Sequence, residues 1–359
     1  MLQGVSPAQN SVGISVIVPV RLRGPHDAGD LRACLAALGR CSPAPDEIIV
    51  VDDGSTPPIG PIAGAPATTR LLRLPPSGPA QARNAGAAAA AHGLLVFVDS
   101  DVVVPIDALG RLAAALEADP GAAAAWGTVQ ADHPDRALWS RYKNHSHRHF
   151  TLRLGQGPGP WPTPHLTTML AAVRRGPFEA VGGFRAALQT VSIEDVELGR
   201  DLVDAGHRVL LDPGLEVRHA HRFTARSAVR NDAHKLRRLV AAELSRPPGP
   251  ATAPDSPAAR RMAAYRRGAP LGVGALLCAA TGQLPQSALL FTAFAWMERD
   301  LLRYLAAEEG LGFAAACLPI LAVERCTAVV AGAAGALDYA RDRAASRWTA
   351  AKARQPTAS

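Results

Sequence analysis

Two carboxylates separated by one residue are the strongest candidates for chemistry in the sequence. Asp99 and Asp101 follow directly after Leu94–Val98, a run of five apolar residues. Such a run ending in acids predicts a buried strand of a parallel sheet, and open α/β sheets bind ligands at the carboxyl ends of these strands. Carboxylates there suit Mg²⁺ or Mn²⁺, which share their coordination with substrate phosphates. Alone, the Asp-x-Asp pattern is also typical of a solvated strand end.

The segments before this pair predict the sheet that would position it. Residues 14–20 are β-branched and indicate a first strand, and residues 47–53 indicate a second strand that ends in Asp52 and Asp53. Helical patterns follow at residues 30–38 and 79–91. Strands that alternate with helices of ten to fifteen residues indicate βαβ units, so the first hundred residues predict a nucleotide-binding α/β half-domain.

Glycine-rich phosphate loops are missing where this layout would need them. No G-x-G-x-x-G follows the first strand, and the sequence contains no P-loop. These absences argue against a dinucleotide-binding domain and against a P-loop NTPase. The acids at the strand ends are therefore the candidate nucleotide contacts.

Two later segments offer weaker signals. Glu194 and Asp195 open a predicted helix, where acids are also favoured simply by the helix dipole. His145, His147 and His149 alternate, and since alternate residues on a helix do not converge, they predict a solvated or phosphate-facing segment rather than a metal site. The Gly/Pro-rich loop at residues 155–164 is interpreted as a flap or as a plain connector.

The charge of the chain is concentrated in one segment. The formal net charge is +7, and residues 222–267 contain eleven basic and three acidic residues. Such a block indicates an anionic partner: phosphates, a membrane surface or nucleic acid. Nucleic acid is disfavoured because the block lacks the interleaved aromatic residues used for base stacking. An anionic membrane surface is the predicted partner.

The C-terminal part is apolar. Residues 269–297 and 311–337 are each long enough to span a bilayer, although each contains a polar interruption. Arginines flank the pair and the connecting residues 298–309 are net acidic, so the positive-inside rule predicts a hairpin with both ends in the cytoplasm. A soluble helical subdomain is the alternative.

Five cysteines without a pairing pattern indicate a reducing, cytosolic compartment.

Six motifs in order resemble the family 2 glycosyltransferases with the GT-A fold. The resemblance covers residues 14–221 and implies inverting transfer of a single sugar from a nucleotide-diphosphate sugar donor to an acceptor hydroxyl. The motifs are Val16-Ile-Val-Pro-Val20, Val50-Val-Asp-Asp-Gly-Ser55, Ala82-Arg-Asn-Ala-Gly86, Asp99-Ser-Asp101, Gly182-Gly-Phe184 and Glu194-Asp195.

The resemblance implies a role for each matching residue. Asp53, supported by Asp52, would contact the nucleotide base, and Arg83 would lie near the nucleotide and its diphosphate. Asp99 would meet the ribose or a metal ion.

A divalent ion, Mn²⁺ or Mg²⁺, would be bound by Asp101 with Asp99 and His219, and His221 is the less favoured histidine. Asp195 would be the general base, with Glu194 beside it.

Together with the charge and apolar patterns, the resemblance predicts an organisation of the chain at the cytoplasmic face of the membrane, with a lipid-linked acceptor as one candidate. The central sheet would be mixed and mainly parallel, followed by a helical, membrane-associated region. The predicted parts are a flexible tail (1–12), a GT-A catalytic domain (13–245), a Pro-rich and basic linker (246–267), an apolar helical hairpin (268–340) and a basic tail (341–359).

Departures from the family pattern narrow the prediction. Arg185-Ala186 replaces the acids that usually follow Gly-Gly-Phe, and no Gln-x-x-Arg-Trp follows Glu194-Asp195, so a processive polysaccharide synthase is disfavoured. A sugar nucleotidyltransferase is an alternative, but it should carry a Gly-rich basic loop, and residues 22–29 contain only two glycines. A non-catalytic nucleotide-sugar or lipid-binding protein is the other alternative; the presence of Asp99, Asp101 and Asp195 speaks against it.

Overall fold

The computed structural model describes residues 13–155, 157–185, 193–247, 249–250 and 257–353. Nine strands in these residues form a mixed sheet. They are β1 (Ile14–Val20), β2 (Glu47–Asp53), β3 (Thr69–Leu74), β4 (Leu94–Val98), β5 (Val102–Val103), β6 (Ala122–Val129), β7 (Trp161–Pro162), β8 (Leu170–Arg174) and β9 (Arg208–His219). The strand order is β3-β2-β1-β4-β8-β6-β9-β5, and β7 pairs with β9.

Helices cover the sheet and form the C-terminal region. They are α1 (Pro25–Leu38), α2 (Pro79–Ala89), α3 (Ala108–Ala118), α4 (Leu138–Leu152), α5 (Arg175–Ala180), α6 (Glu194–Asp204), α7 (Ala225–Ser245), α8 (Pro257–Ala280), α9 (Leu284–Met297), α10 (Arg299–Glu309) and α11 (Leu311–Ala353).

The first four strands are parallel; β1, β2 and β4 are buried on both faces, whereas β3, at the edge of the sheet, is partly exposed. β1 pairs with β2 and β4, and β2 pairs with β3, all in parallel. Buried parallel strands need near-continuous apolar sequences, which explains why β1, β2 and β4 read as unbroken runs. β8 then joins β4 and β6 in the antiparallel direction, while β9 runs parallel to β6. The predicted α/β fold with a mixed central sheet is confirmed.

Helices pack on both faces of this sheet. The apolar residues of α1 and α3 pack on one face, and those of α2, α5 and α6 pack on the other. At Gly86 of α2, a Cβ atom would lie 2.4 Å from the Ile17 side chain of β1. The small residue therefore allows α2 to lie directly on the strands, and this brings the side chains at the start of α2 close to their carboxyl ends.

β9 is a single long strand that continues through Pro213 and Gly214. Its register against β6 shifts between Gly127 and Thr128, so that residues 213–215 are passed over. A bulge of this kind accommodates Pro213 and Gly214 without ending the strand. Trp161 of β7 pairs with Leu211 of β9, so this end of the Gly/Pro loop is held on the sheet as a connector.

Four helices, α8 to α11, occupy the region where the sequence predicted a two-helix hairpin. The first apolar run is interrupted at Gly282 (φ 75°) and the acidic connection ends at Gly310 (φ 89°), both left-handed conformations that favour glycine. Among the helices in the described ranges, Leu311–Ala345 alone is long and apolar enough to cross a membrane, and half of its most apolar window is buried inside the protein.

The polar interruption of α11 is paired internally. Arg325 donates to Glu298 at 2.8 Å, and Glu324 accepts from Tyr142 at 2.7 Å and from Lys143 at 3.0 Å. Burying these charges is tolerated because each of them has partners. Since Tyr142 and Lys143 belong to α4, the C-terminal helices are fastened to the α/β domain through ionic contacts as well as apolar ones.

The histidine segment lies on α4 and is not solvated throughout. His145 is 1% exposed, and its Nε2 lies 3.0 Å from the Glu309 Oε1 at the end of α10. The prediction of a solvated or phosphate-facing segment is therefore wrong for His145. Its burial depends on the position of α10, more than 150 residues later in the chain, and local spacing carries no information about that contact.

Candidate active site

A cavity of about 300 Å³ opens at the carboxyl ends of β4 and β9, between α4, α6 and α7. Its walls include Asp99, Asp195, His219 and His221. Parallel strands bring their carboxyl ends to the same edge of the sheet, so the acids that the sequence places after β4 face a concave surface. Of the predicted site residues, Asp99, Asp195 and His219 therefore line one space. Arg83 contacts Asp99, Asp101 contacts His219, and Glu194 precedes Asp195 in the chain.

Pairing between β5 and β9 brings Asp101 to the histidines. β5 begins one residue after Asp101, and Val102 pairs antiparallel with His219. The carboxylate of Asp101 lies 3.4 Å from His219 Nε2 and 3.2 Å from His221 Nδ1. The two imidazole rings are stacked, with centroids 5.8 Å apart. Residues separated by more than a hundred positions thus form one compact group.

This group can hold a divalent ion. One ligand atom each from Asp101, His219 and His221 lies within 4.8 Å of the other two. A set of one carboxylate oxygen and two imidazole nitrogens suits Mn²⁺ and related ions. Burial would raise the pKa of Asp101, but the two histidines outweigh it and hold that pKa well below its usual range. The carboxylate is therefore ionised at neutral pH, as a metal ligand must be. His221, the less favoured histidine in the sequence, belongs to the group.

Asp99 is paired with an arginine instead. Arg83, which is 5% exposed, donates through Nη2 to Asp99 at 2.7 Å and through Nη1 to Glu194 at 2.9 Å. Burial raises the pKa of Asp99, and Arg83 partly counteracts this. The role of Asp99 as a metal or ribose contact stays a prediction, while its contact in this structure is with Arg83.

The residue after Arg83 fastens the Gly-Gly-Phe turn. Asn84 donates through Nδ2 to the carbonyl of Phe184 at 2.7 Å, and its Oδ1 accepts from the Phe184 N–H at 2.9 Å. Gly183 has φ 68°, and a Cβ there would lie 2.8 Å from Asn84 Oδ1. Two adjacent residues of α2 therefore hold the turn and the acid pair in place.

Asp195 lies in the first turn of α6 and faces the cavity. Burial, followed by the neighbouring charge of Glu194, raises the pKa of Asp195 to about 6. Its Oδ1 accepts from the N–H of Val196 at 2.8 Å. A carboxylate whose pKa lies about one unit below neutrality is ionised at pH 7 and basic enough to accept a proton from a hydroxyl.

Asp52 and Asp53 are engaged in local structure. Asp52 is fully buried and accepts from the N–H of Ser55 at 2.8 Å, and Asp53 accepts from the N–H and hydroxyl of Ser77 at 2.7 and 2.8 Å. These bonds fix the turn after β2 and the start of α2. A second cavity of about 500 Å³ lies beside that turn. Nucleotide contacts by Asp52 and Asp53 stay predictions.

Several residues that line the cavity belong to none of the motifs in the sequence. α4 contributes Lys143 and α7 contributes Asn231, Asp232 and Lys235. The spacing of Asn231, Lys235 and Leu239 at every fourth residue marks one face of α7. Only the position of α7 against the sheet shows that this face lines a site.

The strand order and the acidic strand ends place the domain among the GT-A folds. Residues 15–182 match the family model described as Glycosyl transferase family 2. The family 2 glycosyltransferase domain predicted from the motifs is therefore confirmed for residues 15–182. The matched residues end before Asp195 and His219, so the match does not test these two positions.

The named relatives of the chain are also glycosyltransferases. A pre-mycofactocin glycosyltransferase of Mycobacterium tuberculosis is 30% identical over 217 residues, covering 59% of this chain and 44% of the relative. The O-antigen chain rhamnosyltransferase WbaN of Salmonella anatum is 26% identical over 188 residues, covering 51% and 59%. The chain thus spans about half the length of the curated relatives it matches.

The fold is similar to that of the mannosyltransferase PcManGT from Pyrobaculum calidifontis, solved with GDP-Man and Mn²⁺. The TM-score is 0.57 at 21% identity, and the likeness covers 86% of this chain and 88% of that chain. It extends past the α/β domain, because residues 13–245 alone make up less than that share of the sequence. The likeness concerns the fold.

Proposed function

We propose that the protein is an inverting glycosyltransferase that moves a single sugar from a nucleotide-diphosphate sugar to an acceptor hydroxyl. The observation that carries the proposal is the shared cavity: Asp195 and the two histidines that contact Asp101 line the same space. A single displacement at the anomeric carbon requires one centre that stabilises the departing diphosphate and one separate carboxylate that acts as the base.

Asp195 is the base in this mechanism. It accepts the proton of the acceptor hydroxyl while the acceptor oxygen bonds to the anomeric carbon and the bond from that carbon to the donor phosphate breaks. The attack comes from the face opposite the leaving group, so the configuration of the sugar inverts. Arg83 holds Glu194, the neighbour of Asp195, and thereby fixes the start of α6 against the donor side of the cavity.

Asp101, His219 and His221 would hold the divalent ion, with Asp99 as a further ligand predicted by the family resemblance. When bound, such an ion supplies a Lewis acid that stabilises the negative charge of the departing diphosphate. Mn²⁺ accompanies GDP-Man in the structurally similar mannosyltransferase, which supports the assignment.

The donor is a nucleotide sugar, and the acceptor is proposed to carry an apolar part. GDP-Man in the similar structure and the rhamnosyl specificity named for the Salmonella relative support the donor class. Phe150 of α4 and Leu236 and Leu239 of α7 line the cavity and provide an apolar wall. Such a wall supports a lipid-linked acceptor, since it can bury part of a lipid chain.

The proposed location is the cytoplasmic face of a membrane with anionic lipids. Arg226 and Arg230 are exposed on α7, and Trp296 and Val330 are exposed on the C-terminal helices, with 67% and 71% of their surface accessible. A protein that exposes both basic and large apolar side chains is suited to binding the surface of an anionic bilayer, at about 1 kcal/mol per well-placed basic residue.

A donor panel tests the activity. Thermal shift with Mn²⁺ and a set of nucleotide sugars identifies the donor, and transfer or donor hydrolysis is then measured for Asp101→Ala and Asp195→Asn. We expect both variants to lose turnover, and NMR of the product to show the inverted anomer. Unchanged turnover in both variants would overturn the residue assignments, and a retained anomer would overturn the mechanism.

Vesicle flotation tests the location. The full-length protein should float with vesicles containing phosphatidylserine and should float less with phosphatidylcholine alone. Arg226→Glu combined with Arg230→Glu should reduce flotation, whereas Arg40→Glu, an exposed arginine beyond the end of α1, should not. Equal flotation of all variants on both vesicle types contradicts the electrostatic part of this proposal.

A further inference from the structure

Three permanent cations line the active-site cavity, and two of them are neutralised by carboxylates. Lys143 contacts both carboxylate oxygens of Asp232 at 2.8 Å and Glu324 at 3.0 Å. Arg200 lies 3.2 Å from Glu197 and 2.7 Å from Glu243. Neither side chain has a charge left for a ligand, because each is balanced by two acids.

Lys235 is the third cation, and it has no ion-pair partner among the residues that the structure describes. It is exposed on the cavity face of α7, one turn after Asn231 and one turn before Leu239. Burial raises the pKa of Asp195 and of Asp232, and Asp101 raises that of His219 against the effect of burial; the charge of Lys235 partly offsets each of these rises. The ammonium group therefore lies within electrostatic range of both the base and the metal-binding group.

The acids around the cavity explain why an unpaired cation would help to bind a negatively charged ligand. Asp99, Asp101, Glu194 and Asp195 are acids, and Arg83 is shared between two of them. A nucleoside diphosphate adds further negative charge to a site that is already acidic. Even with a divalent ion bound, an uncommitted cation is needed to offset that charge, and Lys235 is suited to it because ammonium groups bind phosphate as point charges.

We propose that Lys235 binds a phosphate group at the boundary between the donor and acceptor sides of the cavity. The proposal rests on the glycosyltransferase function above and assigns a residue that neither the family motifs nor the family match includes. The phosphate has two possible sources: the diphosphate that departs from the donor, or a phosphate carried by the acceptor. Lys235 is a binding and positioning residue, since the proton transfer belongs to Asp195.

The first arm of the test measures nucleotides. Calorimetric titration with Mn²⁺ compares GDP and UDP with GMP and UMP for the wild type, Lys235→Gln, Lys235→Arg and the control Arg40→Gln. If the donor diphosphate is the ligand, Lys235→Gln should bind the preferred diphosphate about tenfold more weakly. The monophosphate affinity should be unchanged, and Lys235→Arg should recover most of the loss.

The second arm measures an acceptor phosphate. Farnesyl phosphate and farnesol are titrated against slow donor hydrolysis in the same four proteins. If the acceptor phosphate is the ligand, inhibition by farnesyl phosphate should weaken about tenfold in Lys235→Gln, while inhibition by farnesol and the affinity for diphosphates stay unchanged. Lys235 is exposed, so the melting temperatures of all four proteins should agree and show that the variants are folded.

The two proposals fail in different ways. If the wild type binds diphosphates with Mn²⁺ and Lys235→Gln matches it in both arms, the role of Lys235 is overturned and the glycosyltransferase proposal stands. If the wild type binds neither GDP nor UDP with Mn²⁺ and hydrolyses no nucleotide sugar, both proposals are overturned together.

Discussion

Arg83 on α2 donates to Glu194 on α6 at 2.9 Å, although the two residues are 111 positions apart. The same guanidinium donates to Asp99 at 2.7 Å. One buried side chain therefore connects the end of β4 to the helix that carries the proposed base. The relative position of the donor side and the base depends on this bridge.

Replacing Arg83 should destabilise the protein strongly. Arg83→Met leaves Asp99 and Glu194 without their shared partner, and the loss of one member of a buried ion pair costs roughly 3–5 kcal/mol. Urea denaturation measures the loss. Adding Glu194→Gln to Arg83→Met should recover part of it, because it removes the charge of a buried acid that has lost its arginine partner. A loss in Arg83→Met below about 1 kcal/mol would contradict the importance of the bridge.

The two glycines of the Gly-Gly-Phe turn allow a controlled comparison of two alanine substitutions. Both have positive φ, 82° at Gly182 and 68° at Gly183, so alanine at either site is strained by about 1 kcal/mol. Only at Gly183 does the added Cβ meet a neighbour, Asn84 Oδ1 at 2.8 Å, whereas nothing lies within 4 Å at Gly182. Gly183→Ala should therefore lose more stability and more turnover than Gly182→Ala, as measured by thermal unfolding and by donor turnover. Equal effects would show that the contact with Asn84 is unimportant.

Turnover should depend on the protonation of Asp195. Its pKa of about 6 means that the base is ionised above that pH and protonated below it. The rate at saturating donor should therefore fall about tenfold per pH unit below pH 6. A rate that stays constant down to pH 4.5 would exclude Asp195 as the base.

Asp195 should also lower the free energy of unfolding at pH values where it is ionised. Asp195 ionises near pH 4 in an unfolded chain and near 6 in the folded one, so between these values the folded state binds more protons and stability falls as the pH rises. Asp195→Asn removes this cost and should raise the free energy of unfolding at pH 8 by about 2 kcal/mol while abolishing transfer. Urea denaturation at pH 4 and pH 8 checks the sign, since the gain should shrink at pH 4.

The affinity for Mn²⁺ should distinguish the role of His221 from that of Asp99. The structure groups His221 with Asp101 and His219, and it pairs Asp99 with Arg83. Mn²⁺ binding, followed by electron paramagnetic resonance in the absence of nucleotide, should weaken more in His221→Ala than in Asp99→Asn. The opposite order would favour the ligand set implied by the family resemblance.

Features that depend only on residues close together in the sequence could be predicted. The apolar runs of β1, β2 and β4 and the acids that follow them are local patterns, and the motifs in order were enough to identify the family. Contacts between distant segments were out of reach. Asp101 meets His221 only because β5 pairs with β9, and Lys235 faces the cavity only because α7 lies across it. Gly282 and Gly310 divide the C-terminal region into shorter helices, which the apolar content of the sequence alone does not indicate.

The ion pairs around Glu324 determine how the chain can be divided. Glu324 of α11 contacts Tyr142, which is fully buried, and Lys143, which lines the cavity. A protein cut at the end of α7 would expose Tyr142 and leave the cavity wall without one of its carboxylates. The α/β domain and the C-terminal helices should consequently unfold in one cooperative transition. In evolutionary terms, the helices cannot be exchanged for an unrelated segment without rebuilding the wall of the active site.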